Sequence, residues 1–242
     1  VTRHNPHVTA IDTLASLTVG NGGFAFTVDA TGLQTFPELY SKGVPLGAMS
    51  DWGWHSFPNK KHYKHSETLV ARDFHRGHEE YYAAQFKENG RQKDASNYFR
   101  QNPHRLHLGT IGFAFDTPAL VTDVDETLDM WTGKVESTFR YAGHKYHVMT
   151  VCDPDNDVIA SHIESDSTIE VVLRFPYPTG AHSDDACNWN AEDKHTTELS
   201  VDGRGALIRR VVDGVVYFVN VECNKGTRIR KKDAHTVSLT SK

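Results

Sequence analysis

Hydrophobic and polar residues alternate over short stretches along much of the chain, and glycine, asparagine or aspartate bounds each stretch. In the segment after residue 23, Phe24, Phe26 and Val28 fall at every second position. Alternation with a period of two places these three side chains on one face of a strand. An apolar run at 17–19 precedes them, and the intervening Gly-Asn-Gly-Gly at 20–23 supplies the positive φ angles of a tight turn. The pattern predicts a β-hairpin.

Comparable strand-like runs continue to the end of the chain. Asp-Gly or Asn-Lys-Gly turns separate the runs at 206–208, 215–221 and 227–229, which predicts an antiparallel meander. Frequent strands without a repeating strand-then-helix order predict an all-β fold of stacked antiparallel sheets and argue against a doubly wound α/β fold. The remaining runs lie at 106–115, 139–141, 146–150, 158–160, 169–175 and 235–239.

The region 56–102 has a different character. It is polar, rich in His, Lys and Glu, and has no sustained apolar period. We interpret it as a long irregular excursion within one domain covering residues 1–242, because no Ser/Gly or Pro-rich linker divides the chain. Residues 94–100 predict a short helix that ends before Asn102-Pro103, since proline disfavours helical geometry in the residue before it. Long ordered excursions often carry binding contacts.

The charge balance excludes several kinds of partner. The formal net charge of −5 comes from 26 basic and 31 acidic residues, which gives no general electrostatic reason to bind nucleic acid or an anionic membrane. One basic run, Arg-Ile-Arg-Lys-Lys at 228–232, is short. We interpret it as a strand edge protected by charge, in preference to a polyanion site.

The cellular compartment of the protein has to be inferred from its apolar stretches, its first residues and its cysteines. No apolar stretch approaches the roughly 20 residues that cross a bilayer, and the first residues lack the layout of a signal peptide. The abrupt start at 1–4, Val-Thr-Arg-His, allows a processed chain, so we expect a periplasmic or extracellular protein and leave the cytoplasm open. Cys152, Cys187 and Cys223 are odd in number and widely spaced, which indicates neither a disulfide framework nor a thiolate zinc site.

Three motifs that could suggest a cofactor or metal have simpler interpretations. Residues 20–25 fit a dinucleotide-binding pattern, but a strand follows the glycines where that site needs a helix. His-x-x-His spacing recurs, as at His104 and His107, yet residues three apart on a strand face opposite sides of the sheet. The acidic segment 153–157 lacks the glycine and distal glutamate of a calcium loop and is typical of a tight turn. We therefore expect no cofactor and no metal.

The segment Trp52-Gly53-Trp54-His55 carries the most suggestive chemistry. Sugar rings stack their C–H faces on indoles, and a neighbouring carboxylate such as Asp51 can fix hydroxyl groups by directional hydrogen bonds. This favours a sugar-contacting rim. The alternative is that both tryptophans anchor the loop to a sheet. Glycosidic hydrolysis usually needs two carboxyl groups across the scissile bond, and no pair is singled out by its local sequence, so no catalytic residue is assigned.

Several longer segments resemble the amino-terminal region of bacterial glycosidases related to glycoside hydrolase family 65, within the six-hairpin glycosidase group. The likeness extends over most of the chain, and its individual motifs are moderately specific. The segments that carry it are Arg-His-Asn-Pro at 3–6, Ile-Asp-Thr-Leu at 11–14, the hairpin residues 17–22 and 24–29, Thr-Gly-Leu-Gln-Thr-Phe at 31–36, Trp-Gly-Trp-His-Ser at 52–56, Asn-Pro-His-Arg-Leu at 102–106, and 141–144 leading into 148–150.

The resemblance implies a β-supersandwich domain that precedes an (α/α)6 barrel, with the general acid and its partner on the barrel. No helical hairpin series follows the strand-like run at 235–239, so we expect an isolated or truncated domain. In such relatives the sandwich can lend loops to the rim of the active site. The candidate sugar-contacting residues are therefore Gln34, Glu38, Asp51, Trp52, Trp54 and His55.

Three functions remain open at this point. The first is a non-catalytic domain of a glycoside hydrolase in carbohydrate metabolism, which supports the catalytic domain of the same polypeptide, contacts carbohydrate and has no activity alone. The second is a freestanding carbohydrate-binding module that uses Trp52 and Trp54 as a platform. The third is a mutarotase-like enzyme, because related sandwiches can host His and Glu acid/base pairs.

Overall fold

The fold was obtained as a computed structural model, which describes residues 2–75, 77–83 and 89–241. Strands dominate the described part of the chain. The first eleven are β1 (His7–Val8), β2 (Leu17–Gly20), β3 (Phe24–Val28), β4 (Gly47–Ser50), β5 (Trp54–His55), β6 (Leu69–Asp73), β7 (Glu79–Ala83), β8 (His104–Arg105), β9 (Thr110–Phe113), β10 (Val121–Asp129) and β11 (Lys134–Tyr141). The others are β12 (His144–Cys152), β13 (Ile159–Ser165), β14 (Ile169–Arg174), β15 (Tyr177–Pro178), β16 (Cys187–Asn188), β17 (His195–Asp202), β18 (Gly205–Val212), β19 (Val215–Glu222), β20 (Arg228–Lys231) and β21 (Thr236–Ser241).

Helical structure is sparse. The α-helices are α1 (Pro37–Tyr40) and α2 (Gly90–Gln101), and short 3₁₀ turns lie at Thr2–His4, His65–Thr68 and Pro118–Leu120. Among the described residues, no helix has the length and apolar character that crossing a membrane requires. The predicted all-β class with a few short helices is confirmed.

The chain forms two compact units. The first combines residues 1–53 with 106–242, and the second comprises residues 54–105. The first unit holds a five-stranded sheet (β1-β10-β11-β12-β13), a four-stranded sheet (β20-β21-β14-β9), two three-stranded sheets (β17-β18-β19 and β2-β3-β4) and the β15-β16 pair. All pairings are antiparallel. The assignment of residues 1–242 to a single domain stays a prediction.

The predicted first hairpin is confirmed. Strands β2 and β3 pair antiparallel with Val19 opposite Phe26, and Phe24, Phe26 and Val28 are all buried. Gly22 has a φ of 96°, which a side-chain-bearing residue rarely adopts. The turn glycines therefore set the register, and the register directs the three apolar side chains into the core.

The five-stranded sheet contains a second tight hairpin, which joins the predicted strand-like runs at 139–141 and 146–150. Strands β11 and β12 pair from Tyr141↔His144 onward, and the two turn residues Ala142 and Gly143 have φ angles of 51° and 87°. Positive φ at both central positions suits the right-handed twist of the flanking strands. The hairpin carries alternating buried residues, among them Val135, which faces the core.

The meander predicted near the carboxyl end is confirmed for the step from 206–208 to 215–221 and wrong for the step from 215–221 to 227–229. Strands β17, β18 and β19 form the meander, whereas β20 leaves it and pairs with β21 in the four-stranded sheet. Ile229 of β20 packs there against a cluster that includes Leu173 and Val237. A turn signal shows that the chain reverses but not which strand it pairs with next. The basic run 228–232 lies on this edge strand, as predicted, with Arg228 and Arg230 exposed.

The core of the first unit lies between the sheets. Phe113 of β9 and Val171 of β14 share one cluster with Phe139 and Val148 of the five-stranded sheet. The four-stranded sheet also packs, through Leu173 and its neighbours, against the β17-β18-β19 sheet. Full burial of side chains of this size stabilises the fold by about 1.5–3 kcal/mol each.

The second unit contains the whole of the predicted excursion and has regular elements of its own. Strands β5 and β8 pair, β6 and β7 form a two-stranded hairpin, and helix α2 contains the predicted 94–100 segment and begins four residues earlier. The helix ends at Gln101, before the Asn102-Pro103 pair, as predicted. Residues 76 and 84–88 of the excursion lie outside the described residues.

Candidate functional site

The most exposed part of the predicted sugar-contacting segment lies after β4. Trp52 is 52% exposed, and its indole Nε1–H donates a 2.8 Å hydrogen bond to Oδ2 of Asp157. The Ser50 hydroxyl donates to the same carboxylate oxygen at 2.6 Å. The Trp52 ring also lies 6.3 Å from the ring of the buried Tyr217. The indole is therefore fixed in orientation while half of its surface stays open.

Two short loops place these groups. After β4 the chain turns, with the Gly53 N–H donating to the Ser50 carbonyl and the Asp51 N–H donating to the Gly23 carbonyl. The exposed Asp51 thus lies beside the first hairpin turn, in the same loop as Trp52.

The second loop is the acidic segment 153–157, and it is a turn, as predicted. The Asp153 carboxylate accepts the backbone N–H groups of Asp155 and Asn156 at 3.0 and 2.8 Å. Asn21 of the first hairpin turn donates from its side chain to the Asn156 carbonyl at 3.1 Å, which joins the two loops.

The Asp157 carboxylate is stabilised as an anion. Hydrogen bonds from Ser50, Trp52 and Asn21 lower its pKa below the ordinary aspartate value, and burial opposes them only partly. A permanently charged acceptor holds the indole N–H more firmly than a neutral one would. The arrangement presents an aromatic face of the kind on which the C–H face of a sugar ring can stack.

Gln34 and Glu38 lie elsewhere in the first unit. Gln34 is buried, and both ends of its side-chain amide are hydrogen-bonded, because Nε2 donates to the Thr27 carbonyl at 2.9 Å and Oε1 accepts the Ile111 N–H at 3.0 Å. The Gln34 side chain therefore links β3 to β9, next to the bond from its own backbone N–H to the Ile111 carbonyl. Its contact with sugar stays a prediction.

Glu38 begins a polar chain that the sequence did not reveal. Its carboxylate pairs with the guanidinium of Arg174, at the end of β14, and that guanidinium lies 4.5 Å over the ring of Trp189. Trp189 Nε1–H donates to Asp185 at 3.4 Å. These residues come from three separate segments, so no local motif could have joined them.

A cavity of about 240 Å³ adjoins Gln34 and Arg174. Its floor is the four-stranded sheet, and its walls combine aromatic, hydroxyl and charged groups. The lining residues are Gln34, Thr35, Thr110, Gly112, Phe113, Ala114, Phe115, Val172, Arg174, Lys232, Asp233 and Thr236.

Trp54 and His55 belong to the second unit. The Arg105 guanidinium lies 4.1 Å over the Trp54 ring, which is 47% exposed. His55 is buried, and its Nδ1 lies 3.1 Å from Nε2 of His104. Because His104 Nδ1 donates to the Gln101 carbonyl, its Nε2 accepts and His55 Nδ1 donates. Of this pair, Trp54 therefore has the surface that a ligand could reach.

The first unit also buries carboxyl groups that sequence reasoning missed. Asp29 is fully buried and accepts hydrogen bonds from Thr31, Thr35 and Phe36. Glu126 is 1% exposed, and neither carboxyl oxygen has a hydrogen-bond partner within the described residues. Burial, with a smaller contribution from the nearby Asp29, raises the pKa of Glu126 to about 9. Neither group lines the cavity at Arg174, so they are part of the core.

A second buried cluster centres on Arg210, which has no exposed surface. Its guanidinium donates to the Thr196 carbonyl at 2.9 Å and to Nδ1 of His195 at 2.5 Å, and it also bonds the Thr197 hydroxyl. The His195 ring stacks on His235 at 3.7 Å. Burial, Arg210 and His235 lower the pKa of His195 to about 3, so both imidazoles act as neutral acceptors. Within the described ranges no three His, Cys, Asp or Glu side chains form a group that could hold a metal ion.

The first unit belongs to the class of antiparallel all-β domains and presents an exposed, fixed indole. Residues 54–240 match the profile of the glycosyl hydrolase family 65 amino-terminal domain. The match covers more than half of the chain, so the protein belongs to this family, and the resemblance seen in the sequence is confirmed.

The fold can also be compared with solved structures and with curated proteins. A solved structure titled "Putative kojibiose phosphorylase from human microbiome" aligns with 98% of this chain at 10% sequence identity and a TM-score of 0.49. The alignment covers 29% of that protein, so the present chain spans less than a third of its length. No curated protein matches the chain.

Proposed function

We propose that this chain is a non-catalytic domain that helps to frame the sugar site of a glycoside-acting enzyme, with Trp52 as its principal carbohydrate contact. Membership of the family supports a role in carbohydrate chemistry and a catalytic domain as the partner. The observation that carries the proposal is the Trp52 indole, half exposed and held by Asp157. An immobilised ring loses less conformational entropy when a ligand stacks on it, which favours binding.

Titration of the chain with a panel of α- and β-linked glucose oligosaccharides tests the contact. We expect millimolar or tighter binding, followed by NMR shifts of the indole N–H, and loss of binding in Trp52→Ala. Trp131→Ala is the matched control, because Trp131 is 77% exposed in the turn between β10 and β11. Equal loss in both variants, or none in Trp52→Ala, would contradict the assignment.

The role of Asp157 is separately testable. Asp157→Ala removes the acceptor of the indole N–H and leaves the ring in place but free to rotate. Releasing one fixed side chain costs about 0.5–1.5 kcal/mol of affinity, or roughly 2- to 10-fold. A variant that binds as tightly as the wild type would show that fixation of the indole is irrelevant.

The absence of catalysis is tested by assaying the purified chain against aryl glycosides and oligosaccharides. We expect no turnover, because none of the carboxyl groups described above forms a pair across an open cavity. Turnover that a single Asp or Glu substitution within this chain abolishes would overturn the non-catalytic role.

One observation favours the mutarotase-like alternative. His147 lies between two carboxylates, with Nε2 2.9 Å from Glu136 and Nδ1 3.3 Å from Glu164. Hydrogen bonding to Glu136, and less strongly to Glu164, raises the pKa of His147, so it could serve as an acid next to a base. Polarimetry of freshly dissolved α-glucose distinguishes the alternatives, since anomer interconversion lost in His147→Gln would support an enzyme.

A further inference from the structure

The cavity at Arg174 lies on one face of the four-stranded sheet. Arg174 is paired in register with Thr110 of β9 and with Thr236 of β21, so these three side chains project from the same face. Segment 34–35 packs directly on Gly112 of β9, two residues after Thr110. The contact is so close that a Cβ added to Gly112 would lie 2.3 Å from the Gln34 carbonyl oxygen. One wall of the cavity is thus backbone packed directly on a glycine, and its shape does not depend on flexible side chains.

Arg174 is held in position before any ligand arrives. Glu38 pairs with one terminal nitrogen of its guanidinium, and the Trp189 ring covers one face of the group. Within the described residues this pairing is the only hydrogen bond that the guanidinium makes, which leaves its other N–H groups available to a ligand. A guanidinium fixed in this way presents a planar fork that suits two adjacent oxygen atoms.

The opposite wall is formed by the turn between β20 and β21. The Lys232 N–H donates to the Thr236 carbonyl, and the His235 N–H donates to the Asp233 carboxylate at 2.9 Å. The turn brings a cation and an anion to the cavity side by side, and Lys232 is itself balanced by Glu170 at 3.4 Å. Positive and negative groups alternate around the space, so it suits a neutral ligand with many hydroxyl groups better than an anion.

We propose that this cavity binds a single neutral monosaccharide unit, with Arg174 donating to vicinal hydroxyls, Asp233 accepting from another, and Phe115 forming an apolar wall. A volume of about 240 Å³ equals that of about eight water molecules, which is below the range of drug-sized ligands. The inference rests on the proposed function, because it assumes that the domain contacts carbohydrate. It adds a second contact, independent of Trp52.

The experiment is an NMR titration of the full chain with methyl glucosides, galactosides and mannosides. Arg174→Met removes the donors, and Thr236→Phe fills the cavity from a strand position that keeps Arg174. We expect amide shifts at Thr110 and Asp233 in the wild type and about tenfold or greater weakening in both variants. Arg209→Met is the control, since Arg209 forms an exposed ion pair with Glu198 on another sheet. Circular dichroism and thermal melting verify that each variant is folded.

The outcomes separate this inference from the proposed function. Weakening in both cavity variants, with wild-type behaviour in Trp52→Ala and Arg209→Met, supports the cavity. Binding that Trp52→Ala abolishes and both cavity variants retain overturns the cavity and leaves the proposed function standing. If Arg209→Met weakens monosaccharide binding as much as the two cavity variants do, the cavity proposal is also overturned. If the wild type binds neither monosaccharides nor oligosaccharides, both proposals fail.

Discussion

Glu126 should make the stability of the first unit fall as the pH rises above neutrality. Its carboxyl group is 1% exposed, has no hydrogen-bond partner within the described residues, and has a pKa raised to about 9 by burial and, less strongly, by Asp29. In the unfolded chain an ordinary glutamate titrates near 4.5. The folded state therefore holds the proton more tightly, and the resulting stabilisation is complete below about pH 4.5 and is lost progressively up to about pH 9.

The magnitude follows from linkage. Each pH unit inside that window removes about 1.4 kcal/mol, so the free energy of unfolding should fall by about 2 kcal/mol between pH 7 and pH 8.5. His195 acts with the opposite sign, since its folded pKa of about 3 lies below its unfolded value of 6.5, but its contribution is confined to the window below about pH 6.5. His147, whose pKa is raised by its hydrogen bond to Glu136, and Asp29, whose pKa is raised by burial, act with the same sign as Glu126, so a comparison of the wild type with Glu126→Gln isolates the effect of Glu126.

The test is urea denaturation of the wild type and Glu126→Gln at several pH values across this range. The neutral amide keeps the shape of the carboxylic acid, so the variant should lose the part of the downward slope that Glu126 causes and exceed the wild type in stability at pH 8.5. Glu198→Gln controls for the loss of an exposed carboxylate. If Glu126→Gln and the wild type show the same dependence on pH, Glu126 is not the titrating group and the reasoning is refuted.

Three further predictions concern the core. His195→Gln keeps an acceptor for Arg210 but removes a group whose lowered pKa destabilises the fold in acid. Between pH 7 and pH 5 the free energy of unfolding of the variant should therefore fall by about 2 kcal/mol less than that of the wild type. Equal decreases, measured by urea denaturation, would contradict this prediction. Phe26→Ala empties a fully buried site and should cost about 3–5 kcal/mol, measured by urea denaturation at neutral pH. Gly112→Ala places a methyl group 2.3 Å from the Gln34 carbonyl oxygen, which is a backbone atom, and should cost about 1–3 kcal/mol in the same assay, whereas an unchanged midpoint would show that segment 34–35 yields freely.

Strand alternation with turn chemistry predicted many of the strands, though not β10 or β17, and it did not predict all of the strand partners. The Gly-rich turn at 20–23 identified its hairpin because the paired strands adjoin in sequence. The same logic failed for β20, whose partner β21 follows it just as closely as β19 precedes it. Both neighbours satisfy the local pattern, and in the fold Ile229 lies partly buried against Leu173 and Val237. Packing between sheets, which a local pattern does not contain, decided the topology.

The buried acid was within reach of the sequence, whereas the cavity was not. In β10, Val124, Glu126 and Leu128 occupy every second position, so alternation alone places the glutamate on the inner face between two apolar residues. Arg174 is different, because it meets Glu38 across 136 residues of chain and Trp189 from a third segment. Alternation fixes the face on which a side chain lies but not its neighbour on the next sheet. A buried group that is defined only by the face of one strand can be predicted from that strand's sequence. A site whose side chains come together from separate strands can be predicted only once the order of the strands in the sheets is known.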